Sequence, residues 1–455
     1  MPDAASEIRR LEGILTSLAP WIRHYDAYYE GNQPIRFLAP AMIKQFGERI
    51  SALVINWPRL GADAYENRLD IEGFRYSGDA SRDDGIQAVW QANNCDELSQ
   101  QAHLESLVLG RSYVCVGAGD SPDDPPLITV EHPLQVVADR DPRTRKIRSA
   151  VKRIDDPDGT RWAGLYGPNT TGWYRWKDGW QLDSPVDEHN LGRVPVVPLV
   201  NRPRILRPDG VSEFHDVIPL ADAANKQATD MMISGEYHAM PRRWAFGLKE
   251  EDFVDANGNQ VSPWSMMAGH LWANENPDIK VGQFPEADLT NFHNTIRVLA
   301  QLASQTLALP PHYMSFTTDN PASADAIRSS ETQLVKRVER KHTFLGGAWE
   351  EVMRLVLRIQ TGEWEDRARS LETMWRDPST PTIAQKADAV MKLATPINGV
   401  AILPVEQARE DLGYTPEQRR RMAQMDSESR TDPALEKIAA GFEARAVNAS
   451  AASDV

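Results

Sequence analysis

The sequence predicts an α+β fold, and three observations carry that expectation. Apolar residues recur at helical spacing in the first hundred residues and again beyond residue 211. Between residues 113 and 201 the period shortens to that of strands, with turn-forming clusters between the runs. No apolar run reaches the ~18 residues needed to span a bilayer. At 455 residues the chain has room for two to four cores, given the usual ~100–200 residues per domain.

Residues 1–30 read as a helix on Ile8, Leu11, Leu15 and Leu18, with Pro20 expected to interrupt it. The aromatics Trp21, Tyr25, Tyr28 and Tyr29 form either a packed helix face or a stacking platform for a base or sugar. Asn56, Trp57, Pro58 and Arg59 sit in a helix-forming stretch, and Leu69–Phe74 reads as a strand leaving it. Residues 86–109 read as helical again, on Ile86, Val89, Trp90, Leu98, Ala102 and Leu107. YVCVGAG, LITVEHP, QVVADRD, IRSAVKRI, RWAGLYG, GWYRWKDGW and VPVVPLV then give an antiparallel unit with hairpins. Val211–His238 reads as a helix with Pro219 in its first turns, or as a kink. Residues 240–285 form a compact insert with strand fragments RRWAFG, HLWAN and IKVGQF.

The most informative stretch runs from Phe284 to Gln360. Asp288–Leu309 reads as a helix on Phe292, Ile296, Leu299, Ala303 and Leu307, stopped by Pro310-Pro311. The loop HYMSFTTDN follows. Asn320-Pro321 then opens a much longer helix, reaching about Ile359, on Ile327, Leu334, Val338, Leu345, Ala348, Val352 and Leu355. Its outer face carries Arg328, Glu331, Lys336, Arg337, Glu339, Arg340 and Lys341, and Gly346-Gly347 would permit a kink. Two short helices follow, broken at Gly413–Pro416, and residues from about Asp426 read as a frayed tail.

The net charge of −15 argues against a protein that grips DNA, because that task needs basic groups to displace counterions. It does not argue against a conduit, whose wall must not hold phosphates. Cys95 and Cys115 are distant and form no CxxC pair, and the first fifteen residues lack a secretion-signal layout. None of the ten histidines falls in a metal-ligand pattern, and no GxSxG, GxxxxGK[ST] or GxGxxG occurs. The expectation is therefore a non-enzyme with no cofactor and no metal. Trp162, Trp173, Trp176 and Trp180, with Arg161, Arg175 and Lys177, read either as cross-strand pairs or as a nucleic-acid- or carbohydrate-binding face. The second reading would make the chain a binding module or hydrolase.

LALPPHYM followed by NPASADAIRSSETQLVKRVERK resembles the stem helix, tunnel loop and long wing helix of tailed-bacteriophage portal proteins, the head-to-tail connectors. YYEGNQP with INWPRLGADAYENRLDIEGFRY, GRVPVVPLVNRPR, and WRDP with TPTIAQKADAVMKLA resemble the actinobacteriophage, siphovirus-like branch of that family. The resemblance reaches about residue 425. It implies a portal-like fold: residues 1–210 as a mixed α/β wing, 211–239 and 287–309 as stem helices, and 240–286 as a small α/β clip. Residues 310–320 would be the tunnel loop, 321–370 the long wing helix, 371–425 a helical crown and 426–455 a disordered tail. It also implies a homododecameric ring at the unique capsid vertex, assembled in the host cytoplasm and retained in the virion. The ring would pass double-stranded DNA without reading its sequence. Implied partners are the terminase large subunit, a head–tail adaptor, and the major capsid and scaffold proteins. By the same resemblance His312, Tyr313, Met314, Ser315, Phe316 and Thr317 would face the channel as the loop. Arg297, Gln301 and Gln305 would face it from the helix, and Arg242 and Arg243 would serve docking at the clip.

Overall fold

The computed structural model describes residues 3–34, 53–79, 81–119, 121, 123–239, 243–246, 280–283, 289–314, 324–379, 383–395, 402–414 and 416–430. They fall into two units, Met1–Gly78 with Arg82–Pro378, and Ser379–Val455 with Asp79–Ser81.

In the first unit α1 spans Ala4–Glu30 without a break. Pro20 therefore does not interrupt it. Pro20 is exposed, so the carbonyl its ring leaves unbonded can turn to water, while Leu15, Ile22, Tyr25 and Tyr28 carry the buried stripe past it. Then come α2 (Trp57–Glu66), β1 (Ile71–Tyr76), α3 (Asp84–Ala92) and α4 (Cys95–Leu109). The stretch expected to be helical over 86–109 is helical, as two helices meeting at Asn93-Asn94. Asn94 adopts a left-handed φ of 52°, which asparagine tolerates better than most residues. Asp96 braces the corner by accepting from Trp90 Nε1 at 2.6 Å and Gln91 Nε2 at 2.8 Å.

The strand region is antiparallel throughout, as its alternation and turns predicted. β2 (Arg111–Gly117) lies between β3 (Leu127–Glu131) and β9 (Val196–Val200). A second sheet has the order β4 (Val136–Arg140), β5 (Ile147–Asp155), β6 (Arg161–Tyr166), β7 (Thr171–Trp176), β8 (Trp180–Leu182). Adjacent residues face opposite ways, as a pleated strand requires. Val137, Val151 and Ala163 pack with Trp180 under Ile8, Leu11 and Leu15 of α1. Val136, Ala150 and Tyr166 pack instead on Tyr113, Cys115 and Val196 of the first sheet. The larger sheet is thus sandwiched between α1 and the smaller one.

Val211–Phe214 stays outside the helix expected from residue 211. A 3-10 turn (His215–Val217) leads into α5 (Ile218–Ala239), and Pro219 occupies its first turn, where a missing N–H costs nothing. β10 (Arg243–Phe246) and β11 (Lys280–Gln283) pair antiparallel, whereas HLWAN lies outside the described residues. α6 (Thr290–Leu307) and a 3-10 turn (Pro311–Met314) precede α7 (Ala324–Thr361). Residues 320–323, including the expected Asn-Pro opening, lie outside the described residues.

The sequence did not single out β12 (Leu371–Trp375), which pairs with β1, setting Phe74 opposite Thr373. Gly346 does not break α7. It admits β12 closely instead: a Cβ there would lie 3.1 Å from Trp375 Nε1, and Thr373 Oγ1 donates to the Gly346 carbonyl at 3.1 Å. Phe74, Trp90 and Trp349 stack through the core beneath this pair, ring to ring at 5.3 and 5.2 Å. His103 completes the group, fully buried. Trp349 Nε1 donates to its Nε2 at 2.8 Å, so its Nδ1–H donates to the Leu69 carbonyl at 3.1 Å.

The second unit contains α8 (Ile383–Ala394), α9 (Val405–Asp411) and α10 (Pro416–Arg430). Arg409 pairs with Asp426 at 2.7 Å and Arg419 with Glu410 at 2.8 Å. α10 thus continues to Arg430, past the residue where the tail was expected to begin. Among the described residues no helix is long and apolar enough to cross a membrane.

Burial holds His103 neutral by pushing its pKa down to about 3. The unfolded chain protonates this residue near its ordinary value of ~6.5. The stability it contributes is therefore full above that pH and falls as pH drops toward 3, by an amount on the order of 5 kcal/mol. Burial lowers His132, His189 and His342 as well, so they add to the same window. Burial pushes the Glu105 carboxyl up to about 7, which works the other way over the same range. In urea unfolding His103→Gln should therefore be weaker than the wild type at pH 7, with the gap between them narrowing from pH 6.5 to 4, and a constant gap would refute the assignment.

Candidate functional site

α5 and α6 pack together as a helix pair, and α6 returns to the turn from which α5 starts. Ala300, Ala303, Ser304 and Leu307 are buried, which fixes the orientation of α6. Arg297, Gln301 and Gln305, one helical turn apart, are consequently exposed along one line. Asn291, His293, Asn294 and Thr295 are exposed too, and Arg297 is the one permanently charged residue in α6. The exposed surface of this helix is therefore almost neutral, with Val298 and Leu302 exposed among its polar side chains.

The C-terminal end of α6 is tied down by hydrogen bonds that the sequence did not reveal. A helix ends with carbonyls that lack intrahelical partners and with a negative dipole end. Here Tyr65 Oη donates to the Leu307 carbonyl at 2.5 Å and Arg337 Nη1 to the Thr306 carbonyl at 3.0 Å. Ala308 turns left-handed at φ 53°, and Ser304 Oγ donates to the Leu309 carbonyl at 2.7 Å. The helix therefore ends two residues before Leu309, with Pro310-Pro311 just beyond the cap.

Lys341 corrects an expectation. It was placed on the charged outer face of the long helix, yet it is buried. Leu334, Val338, Lys341 and Leu345 are spaced four, three and four apart, so Lys341 belongs to the apolar stripe by position. Its Nζ donates to Glu213 Oε2 at 2.5 Å and to Asn201 Oδ1 at 2.7 Å, and lies 4.8 Å from the Tyr65 ring centre. Glu213 also accepts from Asn201 Nδ2 at 3.1 Å. Burial alone would raise the Glu213 carboxyl. The charge and hydrogen bond of Lys341, with Arg202 nearby, outweigh that and hold it below the usual range.

The 3-10 turn after α6 is also anchored. Met314 is buried in the main core and Tyr313 is partly buried, so of its candidate channel residues only His312 is exposed. Arg68 clamps the turn, with Nη2 3.1 Å from Tyr313 Oη and 3.2 Å from Glu331 Oε1, and Nη1 donating to the Pro378 carbonyl at 2.5 Å. Nothing in the sequence marks Arg68, because its partners lie hundreds of residues away. Ser315, Phe316, Thr317 and Arg242 lie outside the described residues, and Arg243 opens β10 opposite Gln283.

The tryptophans of the sheet are taken up by the fold. Trp180 is buried and donates to Glu12 at 3.1 Å, and Trp176 meets it edge-on at 5.3 Å. Arg175 covers Trp162 at 4.3 Å, and Trp173 packs edge-on against Tyr166 at 6.3 Å. Tyr25, Tyr28 and Tyr29 are likewise engaged, through His215, Asp222 and Asp63.

The model of the family "Phage portal protein, SPP1 Gp6-like" matches residues 9–420. The chain belongs to the phage portal protein family. It is 37% identical over 419 residues to the portal protein of Mycobacterium phage D29, covering 90% of this chain and 85% of that one. It is 38% identical over 386 residues to the portal protein of Mycobacterium phage L5, covering 82% and 79%. The likeness to actinobacteriophage portals is thereby established, and the Trp-based binding module is not favoured. Among solved structures, the neck of a native gene transfer agent particle computed with C12 symmetry aligns at TM-score 0.42 and 14% identity, covering 79% of this chain and 89% of that one. A chain of the native gene transfer agent virion aligns at TM-score 0.44 and 14% identity, covering 87% and 99%.

If the buried pair carries the portal's helix junction, removing one charge should cost far more than removing both. Lys341→Met leaves a buried unpaired carboxylate and should cost ~3–5 kcal/mol, whereas Lys341→Met with Glu213→Leu should recover most of that loss. Thermal unfolding of the three variants checks this, and additive losses would show that the two side chains do not depend on each other.

Proposed function

We propose that copies of this chain close head to tail into a ring, a dodecamer, at one capsid vertex. The ring admits double-stranded DNA during packaging, retains it, and releases it on ejection. The observation that carries the reading is the family match across residues 9–420. The near-neutral exposed face of α6 is consistent with it. A channel wall with one fixed charge per helix offers phosphates little to hold, which sliding requires, and no base-reading groups are needed.

In this reading residues 211–239 and 287–309 form the stem, 240–286 the clip, 1–210 and 321–370 the wing, and 371–425 the crown. Arg297, Gln301 and Gln305 face the lumen with His312, Ser315, Phe316 and Thr317, while Tyr313 and Met314 anchor the tunnel loop. Arg242 and Arg243 at the clip meet the terminase large subunit and later the head–tail adaptor. The wing and crown meet major capsid and scaffold proteins. The chain acts as a structural conduit of the virion, with force supplied by the terminase and no catalysis of its own.

Light scattering and negative-stain microscopy of the purified chain should give rings with a central hole and a mass many times 51.0 kDa. A monomer at every concentration and salt tested would sink the reading. Replacing Ser315, Phe316 and Thr317 together with glycine should leave ring mass unchanged, because the anchors lie upstream, while DNA packaged or retained per particle falls. Unchanged packaging would remove the loop from the mechanism.

A further inference from the structure

Residues 202–210 leave β9 and return as a short projection closed at its base. The Asn201 N–H donates to the Gly110 carbonyl at 2.9 Å, the Val211 N–H to the Asn201 carbonyl at 3.1 Å, and Asn201 Nδ2 to the Val211 carbonyl at 2.9 Å. Gly210 is required there: φ is 74°, and a Cβ would lie 2.3 Å from the Asn201 carbonyl oxygen. At the tip Arg204 and Arg207 exchange both backbone hydrogen bonds, at 3.0 and 2.9 Å, around a two-residue turn. Those two residues are Ile205, 77% exposed, and Leu206, 94% exposed. The β4–β5 turn stands beside them, with Arg145 Nη1 donating to the Ile205 carbonyl at 3.2 Å. Arg143, Arg145, Lys146, Arg204 and Arg207 are all exposed, and among the described residues none of them forms an ion pair. The result is a rigid apolar tip with a basic rim on a chain of net charge −15.

The β8 edge of the larger sheet, across from the β4 edge beside which this tip stands, carries the complement. Beyond β8 the chain runs along the edge to Asp187, whose backbone exchanges two 2.9 Å hydrogen bonds with Thr171. Leu182 is 50% exposed and Val186 40% exposed. Asp183, Asp187 and Glu188 surround them. Asp183 is engaged by Arg175 at 3.1 Å, and Asp187 and Glu188 form no ion pair among the described residues. Successive hairpins turn at alternate ends, so the β4–β5 and β6–β7 turns share one end. Thr171 opens β7 at that end, so Asp187 lies there too. With strands about 4.8 Å apart, the edges β4 and β8 stand roughly 19 Å from each other.

We infer that the basic Ile205–Leu206 tip of one copy docks on the acidic Leu182–Glu188 edge of the next, an inference that rests on the ring reading above. A cyclic ring repeats one head-to-tail contact, so each subunit must present unlike, complementary surfaces on its two sides. An apolar projection with positive charges, leaving the smaller sheet and standing beside the β4–β5 turn, and an apolar β8 edge with negative charges at the same end of the larger sheet meet that requirement. The closed loop base means the tip loses little freedom on docking. The charges set direction and register, which matters for an acidic chain whose copies otherwise repel.

The test uses the full chain, self-association being read by light scattering at moderate salt. Arg204→Glu with Arg207→Glu should weaken association tenfold or more, as should Asp187→Lys with Glu188→Lys, where about 1.4 kcal/mol corresponds to each tenfold change. All four substitutions together restore opposite charges across each contact and should restore assembly. Leu206→Cys with Val186→Cys should crosslink copies into a ladder with a short bismaleimide, since the native Cys95 and Cys115 are buried. Rings unaffected by both reversals, or no crosslinked ladder from assembled rings, would overturn the docking contact and leave the ring standing. A wild-type chain that never associates would overturn the ring reading itself, and the contact with it.

Discussion

The ion pair between Lys341 and Glu213 is the constraint on which the rest of the first unit depends. It joins Glu213, two residues before the 3-10 turn that leads into α5, to the middle of the long helix, and Asn201 ties both to the end of β9. Tyr65, whose ring faces the Lys341 ammonium, ends α6 through its hydroxyl. One buried charge pair thus connects both paired helices, the sheet and α7. An apolar contact at this point could slide with little change in energy. A buried ion pair cannot, because any displacement leaves charge without a partner. A helix pair proposed to hold its angle against moving DNA benefits from that kind of attachment.

The charge pattern of the molecule follows the same logic at larger scale. The surface proposed to face DNA is nearly neutral, with Arg297 alone on α6. Concentrated positive charge occurs instead at the Arg204–Arg207 tip and the neighbouring β4–β5 turn. In the proposed ring, basic groups are thus kept off the wall, where they would slow DNA, and placed where a protein neighbour can use them. Arg68 plays a different role. Largely shielded from water, it fixes the turn after α6 to α7 and to Pro378.

Much of this was legible in the sequence because the signals are local. Helical stripes, alternating strands and Gly-, Pro- and Asp-rich turns each need only a dozen residues to declare themselves, and the antiparallel sheet and both paired helices appeared where the pattern put them. Local signals also misled. Pro20 does not break α1, because the buried stripe on either side outweighs one missing hydrogen bond. Lys341 was read by its chemistry as a surface residue, although its spacing put it in the core.

The sequence by itself determined the class of fold, the order of the elements and, through wording spread over most of the chain, the family. Each depends on residues close together or on whole-chain likeness. Tertiary structure alone decided the pairing of β1 with β12, the clamp of Arg68 on Tyr313 and Glu331, the burial of Lys341 on Glu213, and the placement of the basic Arg204–Arg207 tip beside the β4–β5 turn. The physical reason is the same in each case. These contacts join segments up to some three hundred residues apart, and the energy that selects them comes from desolvation and close packing, which exist only once the chain has folded.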